Sequence, residues 1–208
     1  MDGKFHAVIG AGTGVAVAQT TGQDAIGTAV LLAAGMVASL APDLDTAGKL
    51  ANKISLSHKM IQGFVRTAGI LLGGYALLAL SGAAMYIGLA LGVFLLLLAP
   101  KFSQRLMLLV SGIAIIAAGI ALEAIWAGLA GLYVVIASIA SHRGCTHSLI
   151  GLLFFGVITF YIHEQFQITG LCWTLMLAYL SHLLADMRFI PGNKRGIKLF
   201  WPLSRKAI

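Results

Sequence analysis

The sequence predicts an all-α polytopic membrane protein, with about six to eight short transmembrane helices arranged as hairpins. Three observations lead to this fold class: the composition, the pairing of the apolar segments and the distribution of positive charge. Of the 208 residues, 59% are hydrophobic and only 10% are charged, whereas soluble domains contain about 45–50% apolar and about 25% charged residues. This composition excludes an ordinary soluble domain, a disordered tail and a basic nucleic-acid-binding domain.

The apolar segments are about 15–18 residues long, slightly short of the roughly 20 residues that a full crossing takes, and they occur in pairs. Some of them could be re-entrant. As a single helix, residues 66–99 would be about 51 Å long at about 1.5 Å per residue, which is too long for one crossing and indicates a hairpin. The predicted segments are residues 7–22, 25–41, 66–80, 83–99, 105–121, 124–140, 148–162 and 169–185.

Positive charge lies on one side of this arrangement. If every pair is a hairpin, all 14 Lys and Arg residues fall on the face that holds the chain ends and the longer connections. The turns on the opposite face hold Asp24, Glu123 and Glu164 and no basic residue. The positive-inside rule therefore predicts that the basic face is cytoplasmic. The net charge of +7 also favours contact with anionic lipids.

Glycine within the apolar segments predicts close packing between helices, because two backbones can approach where no side chain intervenes. The Gly-x-Gly-x-Gly string at residues 10–14 follows no strand, which favours helix packing over a nucleotide-binding loop. Two cysteines do not make a disulfide framework, so we expect Cys145 and Cys172 to be free thiols. The glycine pairs are Gly10/Gly14, Gly69/Gly73, Gly88/Gly92 and Gly112/Gly119.

The chain divides into a predicted helical transmembrane domain over residues 1–186 and a basic, aromatic tail over residues 187–208. In the tail, aromatic and aliphatic residues alternate with Lys and Arg. We expect the tail to lie on the anionic cytoplasmic leaflet with Trp201 at headgroup level. In that position it could also cover a site at the same face.

Side chains that bind metals or move protons gather at the basic face. They lie at predicted helix ends, in four short segments that are far apart along the chain. The segments are His6, Pro-Asp-Leu-Asp at 42–45, His-Arg-Gly-Cys-Thr-His-Ser at 142–148 and Ser-His-Leu-Leu-Ala-Asp at 181–186. Because the histidines played no part in assigning the faces, their convergence indicates a shared site.

The spacing within two of these segments suits a bound ion. His182 and Asp186 are four residues apart and so share one face of a helix; the alternative is a helix-end carboxylate beside a polar histidine. Asp43 and Asp45 follow a proline on non-helical chain, where they could reach one cation, cap a helix or simply be solvated. Imidazole and carboxylate together suit Zn²⁺, Mn²⁺ or Fe²⁺ better than an all-oxygen Mg²⁺ or Ca²⁺ site.

The segment 142–148 adds two imidazoles and a guanidinium. Arg143 could hold a phosphate or carboxylate oxygen; the alternative is an interfacial basic loop. The candidate catalytic residues are Asp43, Arg143 and Thr146, with Asp43 or Asp45 as a general base. The candidate ligands exceed the four of a tetrahedral zinc, which predicts two ions. They are His6, Asp43, Asp45, His142, His147, His182 and Asp186, with His58 and Glu123 left open as additions.

These segments resemble the three signatures of the YdjM-like family, whose members are predicted membrane-bound, metal-dependent hydrolases of bacteria. The matching strings lie at residues 42–45, 142–148 and 179–186, with His6 at the early histidine and residues 196–202 at a glycine–aliphatic–tryptophan–proline segment. The chain departs from the family in two places. Residues 187–197 stand where members often have a Thr-Pro-x-Gly-Val element, and residues 46–48 lack the histidine that members often carry there. A more distant likeness, to zinc-dependent phospholipase C and P1-type nucleases, rests on the His-x-x-x-Asp pair and an all-helical site.

Together these observations predict a hydrolase that cleaves a phosphoester of a lipid or lipid-linked substrate through metal-activated water. The expected location is the bacterial inner membrane, with the site and the tail on the cytoplasmic side. The expected partners are membrane lipids and an anionic substrate, not nucleic acid. The alternative is a non-enzymatic metal carrier or scaffold; a carrier would place polar residues in mid-helix, whereas the helix centres here are apolar.

Overall fold

The fold is entirely helical over the residues that the computed structural model describes, which are 3–46, 49–188, 195–204 and 206–208. In these ranges the α-helices are α1 Gly3–Thr20, α2 Ala25–Ala38, α3 Lys49–Ile54, α4 His58–Ala79, α5 Gly82–Leu98, α6 Gln104–Ala121, α7 Ile125–Ile139, α8 Leu149–Phe166 and α9 Leu171–Ala185. Short 3-10 helices at Pro42–Asp45, Ala99–Lys101 and Cys145–His147 lie in the connections. The predicted all-α class is confirmed.

Apart from the short α3, the helices pair as hairpins: α1–α2, α4–α5, α6–α7 and α8–α9. The turn of the first hairpin is fixed by Asp24, whose carboxylate accepts a hydrogen bond from Gly27 N at 2.7 Å and so caps α2. Five segments are long and apolar enough to cross a membrane, and α7 and α9 are shorter apolar helices. The five are Ala25–Asp45, His58–Ala79, Gly82–Lys101, Gln104–Ala121 and Leu149–Phe166. The helix pattern is that of a polytopic membrane protein.

Three helices extend four or more residues beyond their predicted limits, and the short α3 was not predicted. α1 begins at Gly3 rather than at residue 7. α4 begins at His58 rather than Arg66, because Ser57 Oγ accepts a hydrogen bond from Met60 N at 3.4 Å and caps the helix there. Arg66 therefore lies inside α4, on an exposed surface, rather than at a helix end. α8 continues to Phe166 rather than ending at residue 162, so residues 163 and 164 are helical.

The first hairpin is held by direct contact between backbones. A Cβ atom at Gly10 would overlap Gly35 O and the Ser39 side chain, and a Cβ atom at Gly35 would overlap Gly10 O. Gly14 meets the backbone of Leu31 in the same way. Close packing is confirmed at Gly10, Gly14, Gly69, Gly88, Gly92, Gly112 and Gly119. Gly73 takes part through its backbone, since its N and Cα atoms lie 3.0 and 3.1 Å from the position of a Cβ at Gly92, although a Cβ at Gly73 itself would meet no other helix.

The tight turns and the longer connections lie at opposite ends of the bundle. At the turn end, Gln23 Nε2 of the first turn donates a hydrogen bond to Thr169 O of the last turn at 3.2 Å. At the other end, the 3-10 helix Pro42–Asp45 contacts α3, α7, α9 and the 3-10 helix Cys145–His147. We call this the connection end, and it brings together the segments that hold the candidate ligands.

The C-terminal residues pack back onto the helical core at the connection end. Leu149 N, at the start of α8, donates to Leu199 O at 2.9 Å. Ile197 is fully buried and exchanges two backbone hydrogen bonds with Ile208, at 2.9 and 3.0 Å. Residues 189–194 and 205 of the predicted tail lie outside the described residues. The described part of the tail is therefore joined to the core beside the candidate site.

Candidate metal centre

The four predicted segments meet at the connection end. His6 lies in the first turn of α1, the 3-10 helix Pro42–Asp45 follows α2, the 3-10 helix Cys145–His147 precedes α8, and His182 and Asp186 close α9. The seven candidate ligands fall into overlapping groups, in each of which the donor atoms lie within 4.8 Å of one another. The groups are His6–His182–Asp186, Asp43–His147–His182 and Asp45–His142–His147.

Four donor atoms lie at the heart of this cluster. His147 Nε2 lies 3.2 Å from His182 Nε2, and Asp43 Oδ1 lies 3.5 Å from the former and 3.7 Å from the latter. Asp186 Oδ2 lies 3.9 Å from both nitrogens. The two histidine side chains are fully buried and that of Asp186 is 3% exposed, whereas that of Asp43 is 26% exposed. We call these four residues the inner group.

Hydrogen bonds behind the two histidines direct their lone pairs at each other. His182 Nδ1 lies 2.6 Å from Ser39 O, and because a carbonyl oxygen only accepts, Nδ1 carries the proton. His147 Nδ1 faces the Asp45 carboxylate at 3.3 Å and is likewise the protonated nitrogen. In the neutral rings both Nε2 atoms are therefore acceptors. Two facing acceptors repel unless a proton or a metal cation lies between them.

Asp45 supports the segment that carries His147. Its Oδ1 lies 2.9 Å from His142 Nδ1, and its Oδ2 accepts hydrogen bonds from Thr146 Oγ1 at 2.8 Å and from Arg143 N at 3.0 Å. Asp45 and Thr146 are buried, whereas the side chain of His142 is 42% exposed. The Asp45 carboxylate thus lies behind His147, in the place that carboxylates commonly take behind metal-binding histidines.

His6 and Arg143 flank Asp186. His6 Nε2 lies 3.4 Å from Asp186 Oδ1, and the His6 ring stacks on that of His182 with centroids 3.8 Å apart. His6 Nδ1 is buried and has no hydrogen-bond partner among the described residues. Arg143 Nη2 donates to Asp186 Oδ2 at 3.3 Å, and Nη1 donates to Gly196 O at 3.1 Å. The guanidinium therefore joins the centre to the tail.

The charges of the centre shift the pKa values of two residues that lie outside the helices. Burial alone would lower the pKa of His147, but hydrogen bonds to two aspartates and their negative charges outweigh burial and raise the pKa to about 9. Burial alone would raise the pKa of Asp186, but the surrounding histidines and Arg143 hold it well below its usual range. Both shifts show that the centre favours positive charge among its carboxylates.

The donor set fits a divalent ion such as zinc. Tetrahedral ligands at about 2.0–2.1 Å from zinc lie roughly 3.3 Å from one another. His147 Nε2 and His182 Nε2 lie 3.2 to 3.9 Å from each other and from the two aspartates. Two carboxylates also balance the two positive charges of such an ion. His6 Nε2 and Asp186 Oδ1 offer a further pair of donors beside the inner group.

Two tyrosines that the sequence analysis did not select join the ligand segments. Tyr133 Oη donates to Ala41 O at 3.2 Å and lies 3.0 Å from Tyr179 Oη. Tyr179 Oη donates in turn to Thr146 O. Tyr179 precedes His182 by about one helical turn, so helical periodicity alone places the two side chains on one face of α9. That periodicity was the available clue to its role.

His58, Cys145 and Glu123 lie apart from the centre and belong to none of the metal-binding groups found among the described residues. His58 Nδ1 lies 2.6 Å from Gln104 Oε1, where α4 approaches α6. Cys145 and Cys172 are free thiols, as expected, and burial raises the pKa of Cys145. Glu123 is exposed in the α6–α7 turn, where the sequence predicted it.

Comparison with known proteins identifies one family. No curated protein and no solved structure matches the chain. The family described as YdjM inner membrane protein matches residues 1–208, which confirms the resemblance seen in the motifs. Its description agrees with the apolar, membrane-crossing helices of the fold. The chain therefore belongs to the YdjM inner membrane protein family.

Proposed function

We propose that this protein is a metal-dependent hydrolase that cleaves a phosphoester of a lipid or lipid-linked substrate at the membrane surface. The observation that carries the proposal is the pair of facing histidine nitrogens, His147 Nε2 and His182 Nε2, 3.2 Å apart between Asp43 and Asp186. This buried arrangement requires a proton or a metal cation between the two nitrogens, and the two carboxylates beside them suit a metal cation. Zinc suits its nitrogen and oxygen donors best, with manganese or iron as alternatives.

The proposed chemistry is hydrolysis, for which a bound divalent ion would activate a water molecule and polarise a phosphoryl oxygen. Asp43 is the proposed general base instead of a ligand, because it is the member of the inner group whose carboxylate is partly exposed and so open to water. His147, His182 and Asp186 would then hold the ion and leave one position open for water. Asp45 and Thr146 orient His147 through their hydrogen bonds. Arg143, held beside Asp186, adds positive charge that balances negative charge developing on the phosphoryl group.

The donors support two ions that share one carboxylate. The inner group accounts for the first ion. His6 and Asp186, whose Nε2 and Oδ1 atoms are 3.4 Å apart, would hold the second. Asp186 would then help to hold both ions, as a shared carboxylate does in two-metal hydrolases.

An anionic lipid substrate and a cytoplasmic location follow from the surroundings of the centre. The centre lies at helix ends rather than in mid-helix, which is the level of lipid headgroups. The connections at this end carry most of the basic residues, and positively charged connections lie in the cytoplasm. Those charges would concentrate a negatively charged substrate near the centre.

The proposal is tested on the purified full-length chain in a neutral detergent, by elemental analysis and by hydrolysis of long-chain phosphomonoester and phosphodiester lipids. We expect bound zinc, loss of hydrolysis on chelation and recovery on adding zinc. His147→Ala and Asp186→Ala should each lose the metal and at least about 100-fold in rate. His163→Ala, an exposed residue of α8, is the matched control and should behave like the wild type.

Hydrolysis that survives both chelation and the two variants would overturn the proposal. Firmly bound metal without turnover of any phosphoester lipid would replace the hydrolase by the carrier or scaffold alternative. Zinc uptake into proteoliposomes would then separate those two roles.

A further inference from the structure

A groove runs between the α1–α2 hairpin and α3, and Asp43 is one of the residues that line it. Its volume is about 600 Å³, within the roughly 300–1,000 Å³ typical of ligand pockets. On one side it is lined by Met36, Val37 and Leu40 at the end of α2. Met36 and Val37 are exposed and belong to a membrane-crossing helix, so their side chains are available to lipid. The groove is therefore apolar where it faces the acyl chains of the bilayer.

The lining of the groove also carries positive charge. Lys4, at the start of α1, and Lys53, in α3, both line it and both are exposed. These elements lie at the connection end, where lipid headgroups would be. The groove thus changes from apolar to basic in the same order as a phospholipid changes from acyl chain to phosphate.

Asp43 opens the metal centre to this groove. Its side chain is 26% exposed, whereas those of His6, His147, His182 and Asp186 are between 0% and 3% exposed. A reacting phosphate must therefore approach the inner group past Asp43. The guanidinium of Arg143 already donates to Asp186 and to Gly196 O, so the two lysines are better placed to receive the phosphate first.

We infer that this groove binds an anionic phospholipid, with one acyl chain along Met36 and Val37 and the phosphate held by Lys4 and Lys53 beside Asp43. The inference rests on the proposed function, because it names the substrate of that centre and the route by which it arrives. Each surface lysine strengthens the binding of an anionic lipid at the membrane surface.

Binding is measured by native mass spectrometry on the full-length chain in neutral detergent. The probe is a non-hydrolysable phosphonate analogue of dioleoyl phosphatidic acid, compared with dioleoyl phosphatidylcholine and with glycerol phosphate. Val37→Trp fills the groove and should weaken binding of the probe about tenfold. The matched control is Val30→Trp, an exposed position of the same helix outside the groove, and it should bind like the wild type.

A second pair of variants tests the charges. Lys4→Gln with Lys53→Gln should weaken binding of the probe about tenfold or more. Lys59→Gln with Lys101→Gln removes two exposed lysines that do not line the groove and should leave binding unchanged. Neither pair should change the bound zinc.

The inference is overturned if Val37→Trp binds the probe as tightly as Val30→Trp, if the two lysine pairs behave alike, or if glycerol phosphate binds as tightly as the lipid. Hydrolysis of a short-chain, water-soluble phosphoester is measured on the same preparations. If the short-chain phosphoester is still hydrolysed and the groove variants bind the lipid probe like the wild type, the groove inference fails and the proposed function stands. Selective lipid binding without any hydrolysis removes the proposed function and leaves a lipid-binding site.

Discussion

Asp43 and Asp45 are two residues apart in the sequence, yet their side chains serve different parts of the centre. In the 3-10 helix Pro42–Asp45, which has three residues per turn, they point in different directions. Asp43 faces the Nε2 atoms of His147 and His182, whereas Asp45 lies behind His147, beside Nδ1. We therefore interpret Asp43 as a ligand or base and Asp45 as a positioning residue.

At the residue scale, Asp45→Asn should weaken zinc binding about 10–100-fold, as loss of a partner behind a ligating histidine commonly does. Asp45 also helps to raise the pKa of His147 to about 9. Below that pH a proton competes with zinc for His147, so affinity falls by about tenfold per pH unit. In Asp45→Asn the pKa of His147 should be lower, so a proton should begin to compete with zinc for His147 only at a lower pH.

Zinc titrations of wild type and Asp45→Asn between pH 6 and 9 measure both effects. Asp43→Asn, which removes a carboxylate of the inner group, is the comparison and should cost more affinity. A uniform loss of affinity in Asp45→Asn, with no shift of the pH profile, would indicate a merely structural role for Asp45.

At the scale of the elements, the α1–α2 hairpin determines where His6 lies. His6 is one turn before Gly10, and Gly10 touches the backbone of Gly35 in α2. The close approach of the two helices leaves no room for a Cβ atom at that point. The fixed distance between α1 and α2 in turn lets the His6 ring stack on His182. Backbone contact in the hairpin thus positions a side chain of the metal centre.

Gly10→Ala should separate α1 from α2 and destabilise the fold by about 1–3 kcal/mol, as overpacking does. It should also remove the ion assigned to His6 and lower the metal content from two ions to one. Gly12→Ala is the control, since no described atom lies within 4 Å of the position of its Cβ. Thermal unfolding and elemental analysis measure the two effects. Equal melting temperatures and metal contents for the two variants would contradict this role of the hairpin.

At the scale of the whole molecule, the hairpins place every long connection at one end of the bundle and every tight turn at the other. The seven candidate ligands therefore converge although they come from positions 6 to 186 of the chain. The same topology places the tail beside the centre, where Ile197 is buried and Gly196 O accepts from Arg143. An even number of crossings between consecutive ligand segments is the reason that they share an end.

The topology predicts opposite exposure of the two ends across the membrane. Single cysteines report on which side of the membrane each end lies. Leu122→Cys is placed at the turn end and Lys101→Cys at the connection end, each in a chain whose own thiols are removed by Cys145→Ser and Cys172→Ser. A thiol reagent that cannot cross the membrane should label Leu122→Cys in intact cells. It should label Lys101→Cys only after the inner membrane is opened. The reverse pattern would place the metal centre outside the cytoplasm.

The sequence analysis predicted much of this organisation, because hydrophobic length and turn residues act locally. It predicted the helices to within four residues except at α4, which begins eight residues before Arg66, and it missed the short α3. It also selected all of the residues in the metal-binding groups. Tyr133 and Tyr179 escaped it, because buried hydroxyls that join backbone carbonyls look like ordinary core residues in a sequence.

By itself, the sequence determined the helical class, the hairpin order and the residue types that can bind a cation. These follow from the lengths of apolar segments and from donor chemistry, which need no knowledge of distant contacts. Only the tertiary structure decided which nitrogen of each histidine faces inward, because Ser39 O and Asp45 occupy the other one. It likewise decided that Asp43 alone of the inner group opens towards a groove. The first depends on contacts between residues about 100 or more positions apart, and the second on how α1, α2 and α3 pack around the groove. Spacing along the chain encodes neither.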